Sequence, residues 1–232
     1  VSVMATPLNI LPGALDGAAA IVIDALRMTS VAATALSNGC AGVLACAEVD
    51  SARQAASETG ALLGGERNAL LIPGFDFSNS PLEYTPERIS GRRLVMSTSN
   101  GTRAIAAVSG AKRALLGAFL NASAAARAVA GEESVAIVCA GTLGAFTLED
   151  ALAAGAILEA LRAQGAPLAP DDMAVAAQML YDSAKADLYA ALMPTKHFTR
   201  LRTLGFEKDL RYCLTLDALS NVPERGEDGW FR

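Results

Sequence analysis

The chain has 232 residues, 52% of them hydrophobic and 19% charged, enough apolar material for one substantial core or two small ones, which excludes a disordered protein. Nineteen Lys and Arg against 24 Asp and Glu leave a formal charge of -5; this argues against nucleic acid, which needs clustered cations, and toward a small-molecule partner. The most apolar stretch, Ala18 to Leu26, is interrupted by Asp24 and falls short of the roughly 20 residues of a membrane span.

No charged leader, apolar block and cleavage site open Val1 to Asn9, so a cytoplasmic protein is expected. Cys40, Cys46, Cys139 and Cys213 show no C-x-x-C spacing and read as small hydrophobes. A single histidine, His197, excludes a site needing two imidazoles, no structural zinc site is expected without a C-x-x-C pair, and any metal is expected to be a hard cation on oxygen ligands.

In chain order, short β-prone runs alternate with Ala/Leu-rich helical stretches. Ala18 to Ile23 reads as a buried strand, Asp24 to Met28 as its exit loop, and Thr29 to Asn38 as a helix stopped by Gly39. Gly42 to Cys46 is a strand, Ser51 to Thr59 a helix and Ala61 to Leu63 a third strand. From Gly64 to Ser90 there is no helical period, and the apolar residues Leu70, Leu71, Ile72, Phe75 and Phe77 mark an ordered excursion. Alternation resumes with strand Arg93 to Met96, helix Thr102 to Val108, strand Arg113 to Leu116, helix Ala122 to Ala130 and strand Ser134 to Cys139. Thr147 with Asp150 opens a helix to about Gln164, and beyond Asp171 the chain reads as mainly helical. One α/β domain over residues 1–232 is expected, with ligands at the carboxyl ends of a parallel or mixed sheet.

Three strand-to-helix turns carry groups for chemistry. Asp24-Ala25-Leu26-Arg27-Met28-Thr29-Ser30 places a carboxylate straight after a strand, a guanidinium three residues on and hydroxyls at a helix start, which suits an anion with a hard cation. In a plainer reading Asp24 and Arg27 only hold the loop. Ser97-Thr98-Ser99-Asn100-Gly101-Thr102-Arg103 is dense in donors around a glycine and can surround phosphoryl oxygens. Ala140-Gly141-Thr142 follows the strongest strand and leads to Glu149 and Asp150 at a helix N-terminus, where acids are also favoured by the helix dipole alone. Gly64-Gly65-Glu66-Arg67 offers a further acid-base pair, and Pro81 biases Ser80 toward an extended shape.

Taken together, these motifs resemble the 2-phosphosulfolactate phosphatase family, the ComB-type enzymes of coenzyme M biosynthesis. The resemblance rests on Ile23-Asp24-Ala25-Leu26-Arg27, Gly64-Gly65-Glu66-Arg67, Pro73-Gly74-Phe75-Asp76 with Asn79-Ser80-Pro81, Asn100-Gly101-Thr102-Arg103, and Ala140-Gly141-Thr142 with Leu148-Glu149-Asp150. A tail with Asp209, Tyr212, Cys213, Asp217 and Val222-Pro223 extends it. Departures are Ser99 for Thr, Ser78 for Gly, and Ala151 and Ala153 for Thr and Cys.

The resemblance implies a three-layer α/β/α fold and a Mg²⁺-dependent hydrolysis of (2R)-2-phospho-3-sulfolactate. It marks Asp24, Arg27, Glu149 and Asp150 as catalytic candidates and Asp24, Glu66 and Glu149 as metal ligands, the division of roles among the acids being open. Thr29, Arg67, Thr98, Ser99, Asn100, Gly101, Thr102, Arg103, Gly141 and Thr142 are the substrate-binding candidates, with Arg27, Arg67 and Arg103 facing the anionic groups. His197 either protonates the leaving oxygen or is a structural residue. Competing readings are a phosphatase for another small 2-phospho acid and a non-catalytic binder of phosphorylated metabolites; a haloacid-dehalogenase enzyme is disfavoured by Leu26, where D-x-D needs an acid. The Ala-rich helices are compatible with a homodimer.

Overall fold

Runs rich in Val, Ile and Leu pair into parallel strands because both of their faces can be buried. A computed structural model, describing residues 1–165 and 168–232, shows β1 (Ser2–Met4), β2 (Ala19–Ile23), β3 (Gly42–Ala45), β4 (Leu62–Arg67), β5 (Leu70–Leu71), β6 (Arg93–Ser97), β7 (Arg113–Gly117) and β8 (Val135–Cys139). The helices are α1 (Met28–Ser37), α2 (Val49–Thr59), α3 (Pro86–Ile89), α4 (Gly101–Ala107), α5 (Ala122–Val129), α6 (Leu148–Ala163), α7 (Asp172–Ala184), α8 (Leu188–Leu192), α9 (Lys196–Thr203) and α10 (Glu207–Cys213). Among the described residues no helix is long and apolar enough to cross a membrane.

The expected α/β/α layering is present, with the strands divided between two sheets. One has the order β1-β8-β2-β7 and is parallel throughout; the other, β3-β6-β4-β5, is parallel except for the β4–β5 hairpin. Along β2, Ala19, Ile21 and Ile23 pack toward α5, α6 and α7, whereas Ala20 and Val22 face the other way, the period-2 alternation of a strand buried on both sides. The second face shares its core with α1, α4 and residues Val43, Leu94 and Met96 of the other sheet, so α1 and α4 form the layer between the sheets. Beyond the second sheet, α2 packs Ala52 and Ala56 with Val95 and Trp230.

The strand expected at Ala61 to Leu63 runs on to Arg67, into the predicted excursion. The rest of that excursion is ordered by burial of Ile72, Phe75, Phe77 and Tyr84, with the Tyr84 hydroxyl donating to Ser78 O at 2.7 Å. Strand β1 escaped the sequence reading because three residues carry no usable period.

The tightest helix contact is α6 on α7, where a Cβ at Gly155 would collide with the Ala177 carbonyl and the Tyr181 side chain. Gly155→Ala is therefore expected to cost about 1–3 kcal/mol by overpacking, read as a lower urea midpoint; an unchanged midpoint would show that the helices can separate freely.

Candidate active site

Sheet register sets strand ends side by side. Ile23 lies opposite Cys139, and Ala140 N–H donates to Ile23 O at 2.7 Å, so the chain leaves β2 and β8 at one level. In the second sheet Gly65 lies opposite Ser97, which aligns the exits of β4 and β6. Gly65 has φ +146°, and a Cβ there would strike the Ser97 backbone, so the position requires glycine. The four exits surround a cavity of about 580 Å³, lined by Asp24, Glu66, Asn100 and Thr142, one from each exit, and by Lys196, His197 and Arg200 of α9. The residues that precede α1, α4, α6 and α9, namely Arg27, Asn100, Thr147 and Thr195, all line it. Four positive helix ends thus border one space, an arrangement that favours an anion.

Three polar side chains tie the exits in series. Asp150 accepts from Ala25 N–H and Gly141 N–H, both at 2.9 Å, and from the Thr147 hydroxyl at 3.0 Å, which joins the exits of β2 and β8. Asn100 Oδ1 accepts from Leu143 N–H at 3.0 Å, joining the exits of β8 and β6. Glu66 accepts from Ser99 N–H and from Ala69 N–H, both at 2.7 Å, joining the exits of β6 and β4. Gly101 completes the closure, since a Cβ there would lie 2.5 Å from Asp24 Oδ2.

The site gathers acids at close quarters. Burial raises the Asp24 carboxyl to about 6; His197 pulls it down, while Glu66 and Glu149 push it up. Burial also raises Asp150, aided by Glu149 and Asp24 and opposed by the amides of Ala25 and Gly141. His197 Nδ1 lies 2.6 Å from Glu149 Oε1. Burial alone would lower this imidazole, but its hydrogen bond to Glu149 and the charges of Glu149, Asp24 and Asp150 win, so its pKa is raised. Three buried polar atoms on cavity-lining residues have no partner among the described residues: Asn79 Oδ1, Thr142 Oγ1 and Glu149 Oε2. An unpaired buried polar atom costs about 1–3 kcal/mol, so these three are free to bond water or a polar ligand.

Of the residues singled out from the sequence, Asp24, Arg27, Glu66, Ser99, Asn100, Thr142 and Glu149 line the cavity. Arg27 differs in one respect: its Nη1 is 2.5 Å from Asp209 Oδ2, its guanidinium lies over the Phe206 ring at 3.9 Å, and it is 2% exposed, so Asp209 already balances its charge. The Ser80 hydroxyl holds the other oxygen of Asp209 at 2.7 Å.

Other expectations are corrected. Thr29 is fully buried, and its hydroxyl exchanges hydrogen bonds with the backbone of Asp24. Thr98 and Thr102 bond each other's backbone and close the turn rather than face a ligand. Arg67 turns away to the carbonyls of Glu66 and Ala47 and to the Ser97 hydroxyl, and Arg103 stands exposed, 3.8 Å from Glu48. Gly101 and Gly141 serve close packing, with Gly141 at φ +63° against Ala145. Asp150 does not line the cavity, its oxygens being committed to the turns.

Sequence reasoning missed Lys196 and Arg200, which no motif marked, and undervalued Asn79, whose only signal was the stiff Asn79-Ser80-Pro81 segment. For a metal, the described residues contain no group of three His, Cys, Asp or Glu able to hold an ion by themselves. The donors fit a hard, partly hydrated ion such as Mg²⁺, which takes one or two carboxylates and leaves room for waters and phosphate oxygens: Asp24, Glu66 and the unpartnered Asn79 Oδ1.

An α/β/α protein with a cavity at its strand exits, bordered by helix N-termini and carrying hard oxygen donors among its lining, has the layout that suits a small anion. The 2-phosphosulpholactate phosphatase family profile matches residues 5–228. The probable 2-phosphosulfolactate phosphatase of Symbiobacterium thermophilum is 44% identical over 216 residues, 90% of this chain and 91% of the relative. That of Caldanaerobacter subterraneus subsp. tengcongensis is 42% identical over 208 residues, 88% of this chain and 86% of the relative. That of Thermotoga maritima is 41% identical over 204 residues, 88% and 87% respectively. The chain belongs to the 2-phosphosulpholactate phosphatase family.

Asp150→Asn keeps the shape but replaces one acceptor oxygen by a donor facing an N–H. It is expected to lower stability by about 1–3 kcal/mol and to reduce turnover through misplaced exits, checked by urea denaturation and kinetics; wild-type values in both would refute the tying role.

Proposed function

We propose that this protein is a Mg²⁺-dependent phosphoric monoester hydrolase that converts (2R)-2-phospho-3-sulfolactate and water to 3-sulfolactate and phosphate. Family membership supports the reaction class, and the observation that carries the reading is the His197–Glu149 pair inside a cavity rich in anion donors and hard oxygens.

Phosphate-monoester hydrolysis demands stabilised phosphoryl oxygens, an in-line water and a proton for the departing alkoxide. Ser99, Asn100 and Thr142 supply donors for the phosphoryl oxygens, the Thr142 hydroxyl having no competing partner among the described residues. Asp24, Glu66 and Asn79 would hold Mg²⁺, which when bound supplies positive charge beside the phosphoryl group. Water forms the new P–O bond as the bond from phosphorus to the C2 oxygen breaks; both protons of the water stay with the product as dihydrogen phosphate, and one then returns to His197 as that product ionises. His197, held on Nδ1 by Glu149, donates the proton of Nε2 to the alkoxide. Glu149, expected as a metal ligand, commits Oε1 to His197, and its Oε2 has no partner among the described residues.

Purified protein is expected to release phosphate from this substrate with Mg²⁺ and to lose the activity in EDTA, with recovery on adding Mg²⁺. Full activity in EDTA would refute the metal dependence, and no release under any condition would refute the reaction. The pH profile follows from the sign of the His197 shift. An acid with a raised pKa stays protonated beyond the usual range near 6.5, so kcat/KM holds below the folded pKa and falls as pH rises through it. In His197→Gln, kcat is expected to drop by about 10²-fold or more and this alkaline limb to vanish. Retention of the limb would assign it to another group.

A further inference from the structure

Among the described residues, two cations that line the cavity have no counter-ion. Arg27 is paired with Asp209, and His197 is paired with Glu149. Lys196 and Arg200 also line the cavity, and among the described residues neither takes part in an ion pair, although the protein carries a net charge of -5. They stand four residues apart on α9, hence on one face, about one turn from each other. Arg200 Nη2 donates to Asn68 O at 3.1 Å, which fixes the guanidinium against the β4–β5 hairpin; Asn68 and Ala69 of that hairpin are themselves cavity-lining. The arginines that the motifs singled out, Arg67 and Arg103, are directed elsewhere, so they supply no charge here.

We infer that Lys196 and Arg200 form the subsite for a second anionic group of the substrate, the sulfonate, and so set the preference for a sulfonated phosphoester over an unsubstituted one. The inference rests on the proposed reaction. His197 stands between the two regions in sequence and in charge: it neighbours Lys196 on the helix and interacts with Asp24 on the phosphate side. With the ester oxygen at His197, the phosphoryl group lies toward Asp24, Asn100 and Thr142, and the C3 substituent lies toward α9. A tetrahedral sulfonate offers three acceptor oxygens, matched by an ammonium with three donors and by the guanidinium donors that Asn68 leaves open.

The experiment compares kcat/KM for 2-phospho-3-sulfolactate and for 2-phospholactate, which has a methyl group in place of the sulfomethyl, in the wild type, Lys196→Ala/Arg200→Ala and Arg200→Lys. Loss of charged hydrogen bonds should lower the preference ratio by about tenfold or more in the double variant, mainly through KM, with partial retention in Arg200→Lys. Equal losses for both substrates, or an unaltered ratio, would overturn the subsite. If the wild type hydrolyses neither compound, the reaction fails and the subsite is read by calorimetry: 3-sulfolactate should bind the wild type more tightly than lactate, with the difference lost in the double variant. No difference between the two ligands in the wild type would overturn it there as well.

Discussion

Four loops that leave two separate sheets can form one pocket only if their backbones are fixed relative to each other, and here three polar side chains do this, Asp150 and Glu66 buried and Asn100 half-buried. Asp150 links the exits of β2 and β8, Asn100 those of β8 and β6, and Glu66 those of β6 and β4. Each link satisfies backbone N–H groups that a tight strand-to-helix turn leaves without a ladder partner. Burying a carboxyl is costly when it is unpaired, and the hydrogen bonds to Asp150 oppose that cost without cancelling it, since its pKa stays raised. The same bonds serve folding and function, because they place the helix N-termini and the ligand-facing atoms around a single space.

The electrostatics follow from that geometry. Burial, with smaller contributions from the nearby charges of Glu66 and Glu149, lifts Asp24 to about 6, above the usual carboxylate range. The repulsion among these charges is relieved by a cation, and the acids share the cavity with oxygen donors suited to a hard one. The positive groups are separated by task. Arg27 is neutralised by Asp209 and stacked on Phe206, His197 is held by Glu149, and Lys196 and Arg200 are left to meet charge from outside. A bound polyanion therefore meets graded charge rather than a uniform basic patch, which an acidic protein of this size can sustain only locally.

Much of this was legible in the chain. The step from an apolar run to Asp24, the stop at Gly39 with φ +89°, and the Thr147 to Asp150 spacing each belong to local chemistry and recur in the structure. Side-chain direction was less legible. Reading the third strand as ending at Leu63 made Glu66 and Arg67 a turn pair; because β4 continues through Arg67, the two residues point to opposite faces and only the acid reaches the cavity. The hydroxyls of Thr98 and Thr102 looked surplus but are consumed by their own turn. Lys196 and Arg200 carry no local signature, since their place depends on how α9 docks against distant strand exits.

The central claim is that four sequence-distant exits act as one binding site. An amide NMR titration of the labelled protein with inorganic phosphate in the presence of Mg²⁺ tests it most directly. The account predicts that the amides of Ala25, Ala69, Ser99 and Thr142 shift together along one binding curve. Shifts confined to a single exit, or centred on a different part of the surface, would contradict it.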